Sequence, residues 1–307
     1  MRIVSLLASA TEIVCALGLE DRLVGISHEC DHPPQILHLP RLSRPRFDPD
    51  GMTSGEVDSA VRRAAVEHGS VYEIDGDLLE ELRPDLILSQ AVCDVCAVPT
   101  AGVADLVRRR GLSARVVSLD AHSLEQILHS ILVVGRAGGV EGRAADRIGA
   151  LRERLAHVRA AVSGLPRPRV LGLEWLDPPF APGHWVPEMI EWAGGRNLLG
   201  EPGAPSRQVA WDELGQLDPD ILLVMPCGYG VERAQADADA QAERLRAVAP
   251  RAVAAARARV VDASSYFNRS GPRVVAGIEL LAGIFHPELG LPTPSDAVRP
   301  WPGRGRP

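Results

Sequence analysis

One pattern of hydrophobic and polar positions occurs twice in this chain. Residues 77–89 read DLLEELRPDLILS, and residues 212–224 read DELGQLDPDILLV. In each copy an acidic residue opens a short amphipathic segment, a Pro-Asp pair follows, and an apolar run comes last. Proline cannot continue a helix, and such a run is typical of a strand that is buried on both faces. The repeat therefore predicts a helix followed by a buried strand in each of two similar lobes.

The first part of the chain alternates apolar runs of strand length with segments of helical periodicity. Strands are predicted at 3–7, 22–27, 70–74, 86–90 and 115–119, and helices at 13–19, 54–66 and 100–109. Ser9 and Glu12 have the spacing of a capping box at the start of the first helix. Strands that alternate with helices in this way favour a mostly parallel sheet.

A longer helical stretch separates the two halves of the chain. Helical periodicity runs from residue 122 to 162, is interrupted only at Gly138-Gly139, and ends in the sequence GLPRP. Beyond it, strands are predicted at 169–174, 221–224 and 259–262, and helices at 187–193 and 273–285. We predict an α/β fold with two Rossmann-like lobes and mostly parallel sheets, divided into an N-terminal lobe (1–121), a linking helical segment (122–167), a C-terminal lobe (168–290) and a disordered tail (291–307).

Composition excludes several classes of protein. Hydrophobic residues make up 46% of the 307 residues and the net charge is −7, which indicates a globular chain and disfavours nucleic-acid binding. No segment approaches the ~20 apolar residues of a membrane span. The opening MRIVSLL is too short for a signal peptide, and five cysteines, an odd number, argue against a disulfide framework. These features predict a cytoplasmic monomer, or an extracytoplasmic one if the true start lies upstream.

The usual signatures of catalysis are absent from the sequence. It contains no serine nucleophile elbow, no Walker phosphate loop and no zinc-protease helix motif. The glycine-rich segment 135–139 follows a predicted helix and not a strand, which excludes a dinucleotide fingerprint. We therefore expect that the protein is not an enzyme.

Several segments resemble one family of binding proteins. The opening IVSLLASATEIVCALGLEDRLVGIS, the repeated unit and the segment GHWVPEMIEWAGGRNLL are similar to the iron-siderophore and cobalamin substrate-binding proteins of ABC importers, with the cobalamin branch most similar. The resemblance implies two lobes joined by one long rigid helix, little hinge movement, and a cobalamin-type corrinoid held in the cleft between the lobes. It also implies that Asp77 and Asp212 dock on a permease. Without a leader, the chain would be a cytoplasmic carrier derived from such a system.

Potential metal ligands are concentrated at two strand ends. His28, Cys30 and His32 follow the second predicted strand, and Cys93 and Cys96 follow the fourth. Because the carboxyl ends of parallel strands lie at one edge of a sheet, the two loops are expected to approach each other. Thiolate and imidazole together suit zinc, and a soft site also takes copper(I) or an iron-sulfur cluster. A metal or iron-chelate binding protein is the alternative function, while buried packing is the structural alternative.

The remaining ligand-binding candidates lie just beyond predicted strands. Aromatic side chains there could cover the face of a macrocycle, and a histidine could coordinate its metal, for which His28, His32 and His184 are the candidates. Core packing is the alternative for Trp185, and ordinary helix capping is the alternative for Ser9 and Thr11. The predicted ligand-binding residues are Ser9, Thr11, His28, Cys30, Gln90, Cys93, Trp175, His184, Trp185, Tyr229, Tyr266 and Phe267.

Overall fold

The computed structural model describes residues 1–91 and 99–302, which form two α/β lobes and a linking pair of helices. The N-terminal lobe contains strands β1 (Ile3–Ser5), β2 (Leu23–Ile26), β3 (Ser43–Pro45), β4 (Tyr72–Ile74), β5 (Leu86–Ser89) and β6 (Arg115–Ser118), and helices α1 (Ala8–Ala16), α2 (Ser54–His68), α3 (Gly76–Leu82) and α4 (Thr100–Arg109). The linking helices are α5 (Leu124–Ala137) and α6 (Glu141–Ala161).

The C-terminal lobe has more short elements. Its strands are β7 (Arg169–Leu173), β8 (Trp175–Leu176), β9 (Pro179–Ala181), β10 (Arg196–Asn197), β11 (Arg207–Gln208), β12 (Ile221–Val224), β13 (Ala258–Val261) and β14 (Val298–Trp301). Its helices are α7 (Val186–Trp192), α8 (Trp211–Leu214), α9 (Val231–Ala240), α10 (Ala242–Val248), α11 (Pro250–Ala254), α12 (Ala263–Tyr266) and α13 (Val274–Phe285).

Each lobe is built around one mostly parallel sheet. The N-terminal sheet has the strand order β2-β1-β5-β6, and all of its neighbours are parallel. The C-terminal sheet has the order β10-β7-β12-β13-β14, in which only β14 is antiparallel. Two small antiparallel sheets, β3-β4 and β11-β9-β8, lie outside them. The predicted fold class is confirmed.

The Pro-Asp pairs of the repeated unit have the same role in both lobes. Asp85 accepts a hydrogen bond from the backbone N–H of Arg2 at 2.6 Å, and Asp220 accepts one from that of Arg169 at 2.7 Å. In the other direction, the N–H groups of Asp85 and Asp220 donate to the carbonyls of Arg2 and Arg169. Each aspartate thus sets the register of its strand against the first strand of its sheet.

The linking helices pack against both lobes. Helix α5 contacts α1, while α6 contacts α5, α7 and α13. The turn between them is tight, since a Cβ at Gly135 would lie 2.5 Å from the Cβ of Ala144. One apolar cluster continues from Ile13 through Leu151 to Ile278, so the two lobes share a core.

Three local expectations are wrong. The predicted strand at 70–74 forms as β4, but it pairs with β3 instead of joining the parallel sheet. Helix α1 begins at Ala8 with no side-chain cap, and Glu12 pairs with Arg273, so Ser9 and Glu12 do not form a capping box. The predicted disordered tail contains β14, because the buried ring of Trp301 covers the edge of the sheet.

Candidate functional site

The loops beyond the strands of the two sheets meet at a junction between the lobes. Residues after β2 contact residues after β13, and His122, which follows β6, contacts His184, which follows β9. In open α/β sheets, ligands bind just outside the carboxyl ends of the strands. The junction is therefore the candidate ligand site, and three polar contacts between the lobes surround it.

The first contact is a network of ion pairs. From the N-terminal lobe, Glu12 bonds Arg273 at 2.6 Å and 3.0 Å, and Asp31 bonds Arg269 at 2.8 Å. Glu12 lies 3.4 Å from Arg269, and the side chains of these two residues are only 4% and 8% exposed. Burial disfavours the charge on Arg269, but the hydrogen bond and charge of Asp31 and the charges of Glu12 and Glu29 outweigh it and raise the pKa of Arg269.

The second contact joins the segment before α2 to helix α9. The guanidinium of Arg233 donates to the carbonyls of Pro49 and Met52 at 3.2 Å and 3.4 Å, and the Ser54 hydroxyl donates to Asp237. Burial raises the pKa of the Asp237 carboxyl, although the hydrogen bond from Ser54 opposes this. This contact covers one side of the junction.

Aromatic rings line the C-terminal side of this contact. Arg233 lies over the ring of Tyr229, with its guanidinium carbon 4.1 Å from the ring centroid. The Tyr229 and Trp175 rings are 5.1 Å apart, and the indole N–H of Trp175 donates to the carbonyl of Asp177 at 3.1 Å. The Tyr229 ring is buried beneath Arg233, while Trp175 and Arg233 are partly exposed. Because cationic and aromatic groups stack well on flat apolar ligands, the exposed parts of Trp175 and Arg233 can contact one.

The third contact is a pair of imidazoles. The Nδ1 atoms of His122 and His184 are 3.3 Å apart, and both side chains are half-buried. Burial, together with the neighbouring His122, lowers the pKa of His184. The neutral form of His184 is therefore favoured, which is the form that can coordinate a metal ion.

The structure separates the predicted aromatic residues into two groups. Trp175 and Tyr266 are partly exposed and lie at strand or helix ends of the C-terminal lobe, whereas Tyr229, only 6% exposed, is buried in the core of that lobe. Trp185 and Phe267 are 7% and 0% exposed, belong to the core, and are joined by a 2.7 Å hydrogen bond from the Trp185 indole to the Phe267 carbonyl. For Trp185 the core-packing alternative therefore describes its position, and Phe267, predicted as a ligand-binding residue beyond a strand, is likewise buried in the core.

The predicted polar residues of the first helix are buried. The Ser9 and Ser270 hydroxyls are 3.3 Å apart across the lobes, and the Thr11 hydroxyl is 3.1 Å from the Cys30 thiol. Gln90 is 6% exposed, and its carbonyl accepts a hydrogen bond from the Thr100 amide. Ser9 reaches the junction as part of a contact between lobes, whereas Thr11 lies in the interior.

The predicted Cys/His metal cluster does not assemble among the described residues. Cys30 is a core residue whose pKa is raised by burial, His28 bonds the Ser43 hydroxyl at 2.8 Å, and His32 is exposed. Within the described residues, 1–91 and 99–302, no group of three His, Cys, Asp or Glu side chains is arranged to hold a metal ion. Cys93 and Cys96 lie outside the described residues.

Sequence reasoning missed four residues that form the junction. They are Glu12, His122, Arg233 and Arg269. Glu12 and Arg269 are 257 positions apart in the chain, and His122 and His184 are 62 positions apart, so no local sequence pattern marks these contacts. A signal was available only for Arg269, which follows the aromatic pair Tyr266-Phe267 at a strand end.

A groove of about 750 Å³ lies away from the junction, among the linking helices and α7. Its apolar lining includes Leu124, Leu128, Leu155 and Trp192, with the Arg159 guanidinium 5.0 Å from the Trp192 ring centroid. Helix faces and not strand ends form this groove. The location rule for α/β sheets therefore favours the junction over the groove as the ligand site.

The chain is similar in sequence to a group of binding proteins. A family profile described as "Periplasmic binding protein" matches residues 3–261. A relative from Bacillus subtilis, the uncharacterized ABC transporter substrate-binding lipoprotein YvrC, is 23% identical over 299 residues, which cover 94% of this chain and 80% of the relative. Within the described residues, no helix combines the length and apolar character needed to cross a membrane.

Solved structures of two further proteins share the fold. The periplasmic vitamin B12 binding protein BtuF of Vibrio cholerae matches with a TM-score of 0.67 and 23% identity, over 94% of this chain and 97% of that one. A periplasmic heme binding protein from Pseudomonas aeruginosa matches with a TM-score of 0.70 and 23% identity, over 93% of this chain and 92% of that one.

Proposed function

Because this chain belongs to the periplasmic binding protein family, we propose that it binds a cobalamin-type corrinoid at the junction of its lobes. At the coarser level, it is a non-catalytic substrate-binding component of ABC-type uptake, with a ligand of the vitamin B12, heme or iron-chelate class. The names of the relatives describe periplasmic proteins and a lipoprotein. The cytoplasmic location that we predicted for this chain stays a prediction.

The observation that carries the corrinoid proposal is the pair of partly exposed side chains Trp175 and Arg233, which pack around the buried ring of Tyr229. It lies at the carboxyl ends of β7 and β12 and is covered by residues 49–54 of the other lobe. A corrinoid is a large ring with apolar faces and a polar rim. The aromatic face of Trp175 suits the ring and is supported by Tyr229 from the core, while Arg233 and the backbone carbonyls near it suit the rim.

A visible-spectrum titration with cobalamin tests this proposal, with hemin titrated in parallel. We expect one equivalent of cobalamin to bind, and Trp175→Ala to weaken the affinity about 10-fold or more, since one aromatic contact contributes about 0.5–1.5 kcal/mol beyond its burial. Trp211→Ala is the matched control, because Trp211 stacks with Arg244 in a different part of the lobe. If hemin binds stoichiometrically and cobalamin does not bind, the corrinoid proposal is wrong and heme is the ligand.

We also propose that Asp77 and Asp212 dock on a permease partner. Each lies in the first turn of the helix of the repeated unit, one in each lobe, and each is exposed. Asp77 is 87% exposed and forms a 2.7 Å ion pair with Arg110, which a basic partner could exchange. Equivalent positions in the two lobes would give the permease two similar anchoring points.

A further inference from the structure

His122 and His184 have the separation expected for two ligands of one metal ion. Their Nδ1 atoms are 3.3 Å apart, and their rings are inclined by 49°. Two imidazole nitrogens bound to a tetrahedral ion at about 2.0–2.1 Å lie about 3.3–3.4 Å from each other. We propose that this pair binds a divalent transition-metal ion of the zinc or copper type through both Nδ1 atoms.

The backbone around both histidines fixes the position of the pair. His184 has a φ of +51°, which is uncommon for a residue other than glycine and is often found at functional sites. Its N–H donates to the Ala204 carbonyl at 2.7 Å, and its carbonyl accepts from Gly203 at 2.8 Å. The His122 N–H donates to the Gln126 side chain at 2.6 Å. Two independent anchors therefore hold the backbone of both histidines in place before any ion binds.

The protonation states of the pair are compatible with metal binding. Without metal, neutral imidazoles share one N–H···N hydrogen bond. Metal binding replaces this hydrogen bond, and the proton moves from Nδ1 to Nε2 of the same ring, so two neutral imidazoles release no proton. A protonated imidazole would have to release one, and the affinity therefore falls in acid.

This site differs from axial coordination of a macrocycle metal. A corrinoid or porphyrin metal has free positions only on opposite faces of its ring, so two nitrogens 3.3 Å apart cannot both bind it. A free ion offers adjacent positions, which imidazoles of zinc and copper sites commonly occupy. Among the described residues, no third His, Cys, Asp or Glu side chain joins this pair in a metal site. Water or a small molecule would therefore complete the coordination of the ion. The ion would also join the two lobes.

Metal titration in the absence of corrinoid tests the site separately from the ligand proposal. Thiolates of Cys93 and Cys96 would compete for zinc, so the background is the Cys93→Ser/Cys96→Ser protein. Zinc is titrated against a chromophoric chelator, and cobalt(II) is followed by its visible spectrum. We compare the background with His122→Gln, with His184→Asn, which tolerates a positive φ, and with the exposed control His157→Gln.

We expect one ion to bind to the background and to the His157 control. Either histidine variant should bind it more than about 100-fold more weakly, because even the outer partners of metal ligands contribute about 10–100-fold. Circular dichroism establishes that each variant is folded, and copper(II) electron paramagnetic resonance of the Cys93→Ser/Cys96→Ser background counts the coordinated nitrogens. No bound ion in the background, or equal affinity in folded variants, would overturn the proposal.

Discussion

Glu12 is a charged side chain inside the junction, 5% exposed and bonded to arginines of the other lobe. In Glu12→Gln, Arg273 loses both of its hydrogen bonds to a carboxylate and keeps only a 3.9 Å contact with Asp31, which also pairs with Arg269. We expect the free energy of unfolding to fall by about 3 kcal/mol, because removing a buried carboxylate leaves two arginines to share one partly exposed acid. Denaturant unfolding followed by circular dichroism measures this loss.

The matched control for Glu12 is Glu73→Gln. Glu73 pairs with Arg44 at 3.0 Å on the surface, where solvent screens the interaction, and we expect little change in stability. If Glu12→Gln loses no more unfolding free energy than Glu73→Gln, the network of ion pairs does not hold the lobes together.

His184 gives the fold a pH dependence of known sign. Its pKa is lowered in the folded state, so the unfolded chain binds more protons as the pH falls. The contribution to stability is complete above the ordinary histidine pKa of about 6.5 and is lost as the pH falls through the folded-state value. In chelator-treated protein, we expect unfolding free energy to decrease more between pH 7.5 and 5 in the unsubstituted chain than in His184→Asn. Parallel pH profiles would contradict this.

At the scale of elements, β14 protects the edge of the C-terminal sheet. Trp301 is 1% exposed, and its indole N–H donates to Asp239 at 2.8 Å. Trp301→Ala should lower the free energy of unfolding by about 3–5 kcal/mol through the cavity that it leaves. Leu37→Ala is the control, since Leu37 is 43% exposed, and we expect a much smaller effect. Thermal and denaturant unfolding of the two variants measures both losses of free energy, and equal losses would contradict this role of Trp301.

Elements with a local signal were predictable, and those fixed by distant partners were not. The repeated Pro-Asp unit locates β5 and β12, and α4 has the predicted bounds 100–109, because these depend on neighbouring residues. The partner of Trp301 is 62 positions away, so the segment around it reads as a polar tail. Glu12 has the spacing of a cap, but Arg273 binds it across the lobes. Among the site residues, Trp175 and Tyr229 follow strands as predicted, but Tyr229, like Trp185 and Phe267, belongs to a core.

At the scale of the whole molecule, the lobes are held together by a shared core and three polar contacts. Asp77 and Asp212 therefore keep a fixed separation, which a docking partner can recognise. We expect Asp77→Asn and Asp212→Asn to reduce corrinoid uptake in cells that depend on this protein, and the double variant to reduce it further. Their affinity for ligand in vitro should not change.

The control for docking is Glu67→Gln, an exposed acid on α2. Uptake should be the same as in the unsubstituted protein, because α2 is not part of the repeated unit. If the Asp77 and Asp212 variants support normal uptake, the docking proposal is wrong, while corrinoid binding is unaffected by that result.

The linking helices are the single crossing of the described chain between its two large sheets. All strands of the N-terminal sheet come before residue 119 and all strands of the C-terminal sheet after residue 168, so neither sheet takes a strand from the other half. An exchange of one half between related genes, with the crossover in the turn at Gly138-Gly139, would therefore preserve every strand pairing. Only the facing loops would have to become compatible again. The architecture thus allows ligand preference to evolve by recombination of halves as well as by point mutation.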